Sequence, residues 1–289
     1  MHFSKRIISM QQSPIRKLAP IAQEARKKGK KVYHLNIGQP DIKTPDEFFD
    51  AIKNYREEVL SYELSTGMPE LIKSFIEYYK KHNIYFDEDE ILITNGGSEA
   101  LIFSLMAICD DGEEILIPEP FYTNYNGFST MTGVKVIPIT TKEDGFHLPD
   151  KSEIIKLISS KTRGILLSNP GNPTGTVYTE KEIYMLRDIA KEYNLYIVAD
   201  EVYREFIYDG LKHISFCYLD DIKDNVILVD SISKRYSACG ARIGCVASKN
   251  KKLIKEILKL CQGRLCVATL EQVGACNLIN VSEKLKMNM

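Results

Sequence analysis

Short apolar runs and amphipathic stretches alternate through the middle of the chain, and their lengths separate strands from helices. Glu90-Ile-Leu-Ile-Thr94 and Glu114-Ile-Leu-Ile-Pro118 are brief continuous apolar runs, the pattern of strands buried on both faces. Val134–Ile139, Arg163–Ser168, Leu195–Ala199 and Val226–Asp230 read the same way, and Ile243–Ala247 is the last such run. Helix-period segments lie between or after them. These are Ser98–Cys109 with Ser98 as its cap, Thr123–Met131, Lys151–Ser159, Glu180–Tyr193 and Lys251–Gln262. This alternation predicts an α/β fold: a mostly parallel, seven-stranded type of sheet with helices on both faces.

Composition narrows the function classes. The 289 residues are 44% hydrophobic and 27% charged, ordinary values for a globular chain. Lys plus Arg number 38 and Asp plus Glu 39, so a formal net charge of −1 offers no field for nucleic acid or an anionic membrane. The basic stretch Arg26–Lys31 reads as a solvated helix end. No apolar run is long enough to span a bilayer, and the N-terminus lacks the apolar core of a signal peptide. Seven cysteines, an odd number without C-x-x-C spacing, fit free thiols in a reducing cytoplasm. Five scattered histidines show no zinc-ligand spacing, so no metal is expected.

Candidate chemistry gathers where the strands end. Lys234 follows Val226–Asp230 in Ser231-Ile-Ser-Lys-Arg-Tyr-Ser-Ala-Cys-Gly-Ala-Arg-Ile-Gly244. A lysine at the mouth of a buried strand, with serines before it and Arg242 after it, suits a Schiff base with an aldehyde whose phosphate is held nearby. A lysine simply reaching solvent is the plain alternative. Gly164-Ile-Leu-Leu-Ser-Asn-Pro-Gly-Asn-Pro-Thr-Gly175 is a strand followed by dense turn residues. Leu195-Tyr-Ile-Val-Ala-Asp-Glu-Val-Tyr203 is a strand ending in carboxylates and a tyrosine. Open α/β sheets bind ligands outside the carboxyl ends of their strands, so Asn172, Asp200, Tyr203 and Lys234 are expected to meet in one crevice. Gly96, Gly97 and Ser98 open a helix straight after a strand, an arrangement that favours an anion and is also an ordinary connection.

These segments, in this order, resemble the class I/II aminotransferases, fold-type I enzymes dependent on pyridoxal 5'-phosphate. The resemblance rests on Asn169-Pro-Gly-Asn-Pro-Thr-Gly175, Ala199-Asp-Glu-Val-Tyr203, and Ser231-x-Ser-Lys234 with Arg242 eight residues on. Asn36-Ile-Gly-Gln-Pro-Asp41, Tyr62 followed by Gly67 and Glu70-Leu71, Thr94-Asn-Gly-Gly-Ser-Glu-Ala-Leu101 and Pro120-Phe-Tyr122 extend it from the N-terminal arm to Gln272.

The resemblance implies a role for each residue. Lys234 carries the aldehyde and shuttles the proton, its basicity brought into range by burial and nearby cations. Asp200 keeps the pyridine nitrogen protonated, a charge asparagine could not supply, while Asn172 and Tyr203 contact the phenolic oxygen. Gly96, Gly97, Ser98, Ser231, Ser233 and Arg242 cradle the phosphate. Tyr122 stacks on the ring, and Gly38 meets the substrate carboxylate. Tyr62 reaches the phosphate in a neighbouring subunit, which implies a homodimer with shared sites. The implied activity, in amino-acid metabolism and biosynthesis, moves an amino group between an amino acid and a 2-oxo acid. A β-lyase of the same fold, or a cofactor-binding relic, keeps the same constellation.

The implied layout is an arm with the start of a small domain over 1–41, the cofactor-binding large domain over 42–275, and an incomplete small domain over 276–289. The family continues past this point to a carboxylate-clamping arginine. The stop at Met289 therefore carries the expectations of poor transamination and of thin cover over Leu253, Ile254, Ile257 and Leu258.

Overall fold

The protein is described by a computed structural model, covering residues 1–278 and 281. The chain runs α1 (Lys5–Ser9), α2 (Ala19–Lys27), α3 (Asp46–Lys53) and α4 (Pro69–Lys81) before its first strand. Then follow β1 (Ile91–Thr94), α5 (Gly96–Ile108), β2 (Glu114–Glu119), α6 (Asn124–Thr132), β3 (Lys135–Thr140) and α7 (Lys151–Ile155). The second half holds β4 (Thr162–Ser168), α8 (Glu180–Tyr193), β5 (Tyr196–Asp200), β6 (Val226–Ser231), β7 (Gly244–Ala247), α9 (Lys251–Arg264) and α10 (Thr269–Cys276).

The strands form one seven-stranded sheet in the order β1-β7-β6-β5-β4-β2-β3. Pairs among β2 to β6 are parallel, and β7 alone runs antiparallel, between β1 and β6. The expected class and all the expected strands are present. The pleat explains why those strands read as unbroken apolar runs. In β5, Val198 packs with α5, α6 and α9 on one face, while Ile197 and Ala199 pack with α7 and α8 on the other. In β1, Leu92 joins the first face, whereas Ile91 and Ile93 meet α4 on the opposite one. The inner strands are therefore covered on both sides, whereas the edge strand β3 keeps Lys135, Pro138 and Thr140 exposed.

Several expectations need correction. The helix assigned to 151–159 ends at Ile155. Ser98 is not a cap: α5 begins at Gly96, with Asn95 before it, whose side chain makes no capping bond, while Glu99 Oε2 accepts from the Asn95 amide at 2.8 Å. Gly96 adopts φ +75°, a conformation open to glycine, so the chain turns into the helix earlier than the serine suggested. Leu253, Ile254 and Ile257 are buried against α5 and the sheet, so most of the expected thin face of α9 is covered within the chain, and Leu258 is half-buried. Helices α3, α4 and α10 were not anticipated. The polar tail from 282 onward, and with it most of the segment 276–289, lies outside the described residues.

Candidate active site

Strand register, more than any single contact, assembles the site. Gly244 opens β7 opposite both Thr94 of β1 and Ser231 of β6. The segment after Thr94 (Gly96-Gly97-Ser98), the loop after Ser231 and the residue Arg242 just before β7 must therefore meet at one place. The approach is close enough that a Cβ on Gly244 would stand 2.7 Å from the Gly97 amide nitrogen. A Cβ on Gly96 would collide with the Arg242 guanidinium. Arg242 reaches this spot from a left-handed backbone (φ 54°) and, itself exposed, donates from Nη1 to the Cys239 carbonyl at 3.0 Å. Ser231 and Ser233 are buried beside it, the Ser233 amide donating to Ser231 Oγ at 3.3 Å. Helix N-terminal amides, hydroxyls and a guanidinium brought together where glycines let the backbone approach closely are the donors a phosphate requires.

Two strands along, Asp200 ends β5, flanked in register by Ser168 of β4 and Val229 of β6. It is buried, and Tyr125 of α6 donates its hydroxyl to Oδ2 at 2.7 Å while the Val202 amide reaches Oδ1 at 3.4 Å. Burial raises its carboxyl to about 6; the Tyr125 and Val202 hydrogen bonds oppose this, and the charges of Asp230 and Glu201 add to it. A carboxylate so placed favours a cationic partner, such as a protonated ring nitrogen. Tyr203 is pushed up to about 12, first by burial and then by the Asp200 charge, so at neutral pH it remains a phenol able to donate. Asn172 donates to its hydroxyl at 3.5 Å.

Lys234 lies half-buried in the loop after β6. Its Nζ donates to the Gly38 carbonyl and lies 3.8 Å from Cys239 Sγ. Gly38 belongs to the N-terminal segment, which thus closes over the lysine. Beside it opens a cleft of about 280 Å³ lined by Gly38, Gln39, Tyr203 and Lys234. Tyr122 sits at the start of α6, meets the Tyr125 ring edge-on at 5.5 Å and accepts from Asn124 Nδ2 at 2.6 Å.

The structure thus brings Gly96, Gly97, Ser98, Ser231, Ser233 and Arg242 to one strand edge, with Lys234, Gly38, Asn172, Tyr203 and Asp200 along it. Tyr62 does not join them within one chain. It is 81% exposed on the loop between α3 and α4. The sequence reading missed Tyr125 and Cys239. Tyr125 follows Tyr122 by three residues, a spacing that by itself reads as a packed core face.

The sequence profile of the aminotransferase class I and II family matches residues 30–287. The chain belongs to that family. Among curated members, it is 33% identical to an aspartate aminotransferase of Pyrococcus horikoshii over 89% of its length. It is 36% identical to the (5-formylfuran-3-yl)methyl phosphate transaminase of Methanocaldococcus jannaschii over 94%. The chain spans 64% of the first of these relatives and 70% of the second. Its fold superimposes on alanine aminotransferase from Pyrococcus furiosus with a TM-score of 0.89 at 33% identity, covering 99% of this chain and 76% of that one. The donors gathered at Gly96 and Arg242, the buried carboxylate and the lysine fit the family's cofactor, pyridoxal 5'-phosphate. Among the described residues no helix is long and apolar enough to cross a membrane.

Proposed function

We propose that this chain transfers an amino group between an amino acid and a 2-oxo acid, with pyridoxal 5'-phosphate held by the edge just described. The observation that carries the reading is the meeting of Lys234, buried Asp200 and the Gly96–Arg242 contact at the ends of adjacent strands. When bound, the cofactor supplies an electron sink for the charge left at the substrate Cα.

The chain's own residues do the rest. Gly96, Gly97 and Ser98 offer helix N-terminal amides to the phosphate, and Ser231, Ser233 and Arg242 bind it from the other side. Asp200 holds a proton at the ring nitrogen, which in turn keeps the carboxylate ionised. Asn172 and Tyr203 would hold the phenolic oxygen through hydrogen bonds, and Tyr122 would supply the aromatic contact to the ring. Lys234 would hold the cofactor's aldehyde carbon, and its amine would be the base that moves a proton at the substrate Cα. Gly38 lines the cleft where a substrate carboxylate would lie.

In this reading residues 42–275 form the cofactor-binding large domain, and the protein works as a homodimer in a reducing cytoplasm. Seven free thiols support that compartment. Val59, Leu60, Tyr62 and Leu64 stand exposed on one loop, a surface that suits a second copy and would carry Tyr62 to the neighbouring site. A monomer in sedimentation equilibrium would remove the shared-site part of the proposal.

The reaction is tested by supplying the cofactor, 2-oxoglutarate and a panel of donors that includes aspartate and alanine. Glutamate and the donor's 2-oxo acid are expected without ammonia. Release of pyruvate and ammonia from a cysteine-type substrate, with no amino transfer, would replace this reading with lyase chemistry.

A further inference from the structure

Asp200 has a partner that the sequence motifs do not announce. Tyr125 is 1% exposed, and its ring is fixed by Phe121, stacked at 6.2 Å, and by the edge of Tyr122 at 5.5 Å. From that seat its hydroxyl spans from α6 to the end of β5 and meets Asp200 Oδ2 at 2.7 Å. The other donor to the carboxylate, the Val202 amide, lies at the long distance of 3.4 Å from Oδ1.

The two charges that act most on Asp200 work in one direction. Asp230 of β6 and Glu201, the next residue along, both favour its neutral form, as does burial. Tyr122 and Tyr203 also face it and bring no positive charge. Tyr125 is the strongest influence toward the ionised form.

We propose that Tyr125 is a positioning residue for the reaction: its hydroxyl orients the Asp200 carboxylate and keeps it ionised, while its ring sets the seat of Tyr122. One donor side chain thereby ties the group under the cofactor nitrogen to the aromatic that covers the ring. The inference rests on the role given to Asp200 above, and its first test is independent of that role.

In the cofactor-free protein, Asp200 is titrated by carbon NMR with carboxyl-labelled aspartate, its signal assigned by its loss in Asp200→Asn. Tyr125→Phe keeps the ring and removes the donor. It is expected to raise the midpoint by about one pH unit, the size of a hydrogen bond to a charged acceptor. An unmoved midpoint overturns the proposal whether or not the cofactor role of Asp200 is right.

The second test is a double-mutant cycle on the dissociation constant of pyridoxal phosphate, read from cofactor absorbance. Tyr125→Phe is expected to weaken binding about tenfold in the wild-type background and hardly at all in Asp200→Asn. Equal weakening in both backgrounds assigns Tyr125 a packing role only and overturns the proposal. Absence of cofactor binding by the wild type counts against the proposed function instead, and the titration then decides the case of Tyr125.

Discussion

An unfolded chain ionises Asp200 near 3.8, whereas burial raises the same carboxyl to about 6 in the folded, cofactor-free protein. Between those values the native state holds more protons than the unfolded state, so stability falls as pH rises through that window. The penalty is complete above about pH 6 and amounts to roughly 3 kcal/mol. Asp200→Asn should therefore stabilise the cofactor-free protein at pH 7, by an amount on the order of 1–3 kcal/mol in urea unfolding. The gain should shrink toward pH 4, and an equal gain at both pH values would mean that the carboxyl is not strained by burial. The same substitution should slow Cα deprotonation of a bound amino acid by about 10³-fold or more, because the ring loses its fixed counter-charge. Opposite effects on stability and rate are what a group held unfavourably for function should show. Asp200, Asn172, Tyr203 and Lys234 could be singled out in the sequence because each lies in a turn or at a strand end with unusual neighbours. Tyr125 could not, since an aromatic on a helix face reads as core and its partner is 75 residues away.

The strands were legible element by element, because burial on both faces leaves uninterrupted apolar runs that no exposed helix shares. Helix α8 was legible to the residue for a local reason. Thr179 and Glu182 form a reciprocal capping box at its start, and Asn194 ends it in a left-handed conformation. Helices α3, α4 and α10 went unread although α4 carries the signal: Leu71, Ile72, Phe75, Tyr78 and Tyr79 follow helical spacing behind Pro69. They lie outside the strand–helix alternation that organised the reading, and α10 packs on α3 and α4 across a long sequence separation. The start of α5 shows where local propensity yields to tertiary demand. Serine is a good cap, yet close approach of Arg242 and β7 needs a glycine at position 96. Gly96→Ala would force a side chain into a left-handed backbone, a strain of about 1–2 kcal/mol, and would displace the guanidinium. Its expected outcome is a loss of pyridoxal phosphate affinity of roughly tenfold or more with the helical circular dichroism retained. Unchanged affinity would move the phosphate site away from the N-terminus of α5.

At the scale of the molecule, buried charge ties the helical cap to the sheet beneath the site. Arg235, the neighbour of Lys234, is 3% exposed and grips both oxygens of Asp230, at 2.5 and 2.6 Å. Its guanidinium lies 3.8 Å over the ring of Tyr78, and Tyr79 donates to the same aspartate at 3.1 Å. The lysine loop, β6 and α4 are thus locked to one another. Arg235→Met should cost about 3–5 kcal/mol in urea unfolding, because it strands the Asp230 charge inside the fold. A cost below 1 kcal/mol would show that the pair is dispensable. The pair was not legible from sequence, where nothing in the apolar pattern or the turn residues marks Arg235 as buried. The central claim remains the assignment of Lys234 as the residue that holds the cofactor aldehyde, and covalent trapping tests it most directly. Protein mixed with pyridoxal phosphate is reduced with borohydride, digested and mapped by mass spectrometry. The expected result is one stoichiometric pyridoxyl group on Lys234, lost in Lys234→Ala. A pyridoxyl group on another lysine with Lys234 unmodified would contradict the account.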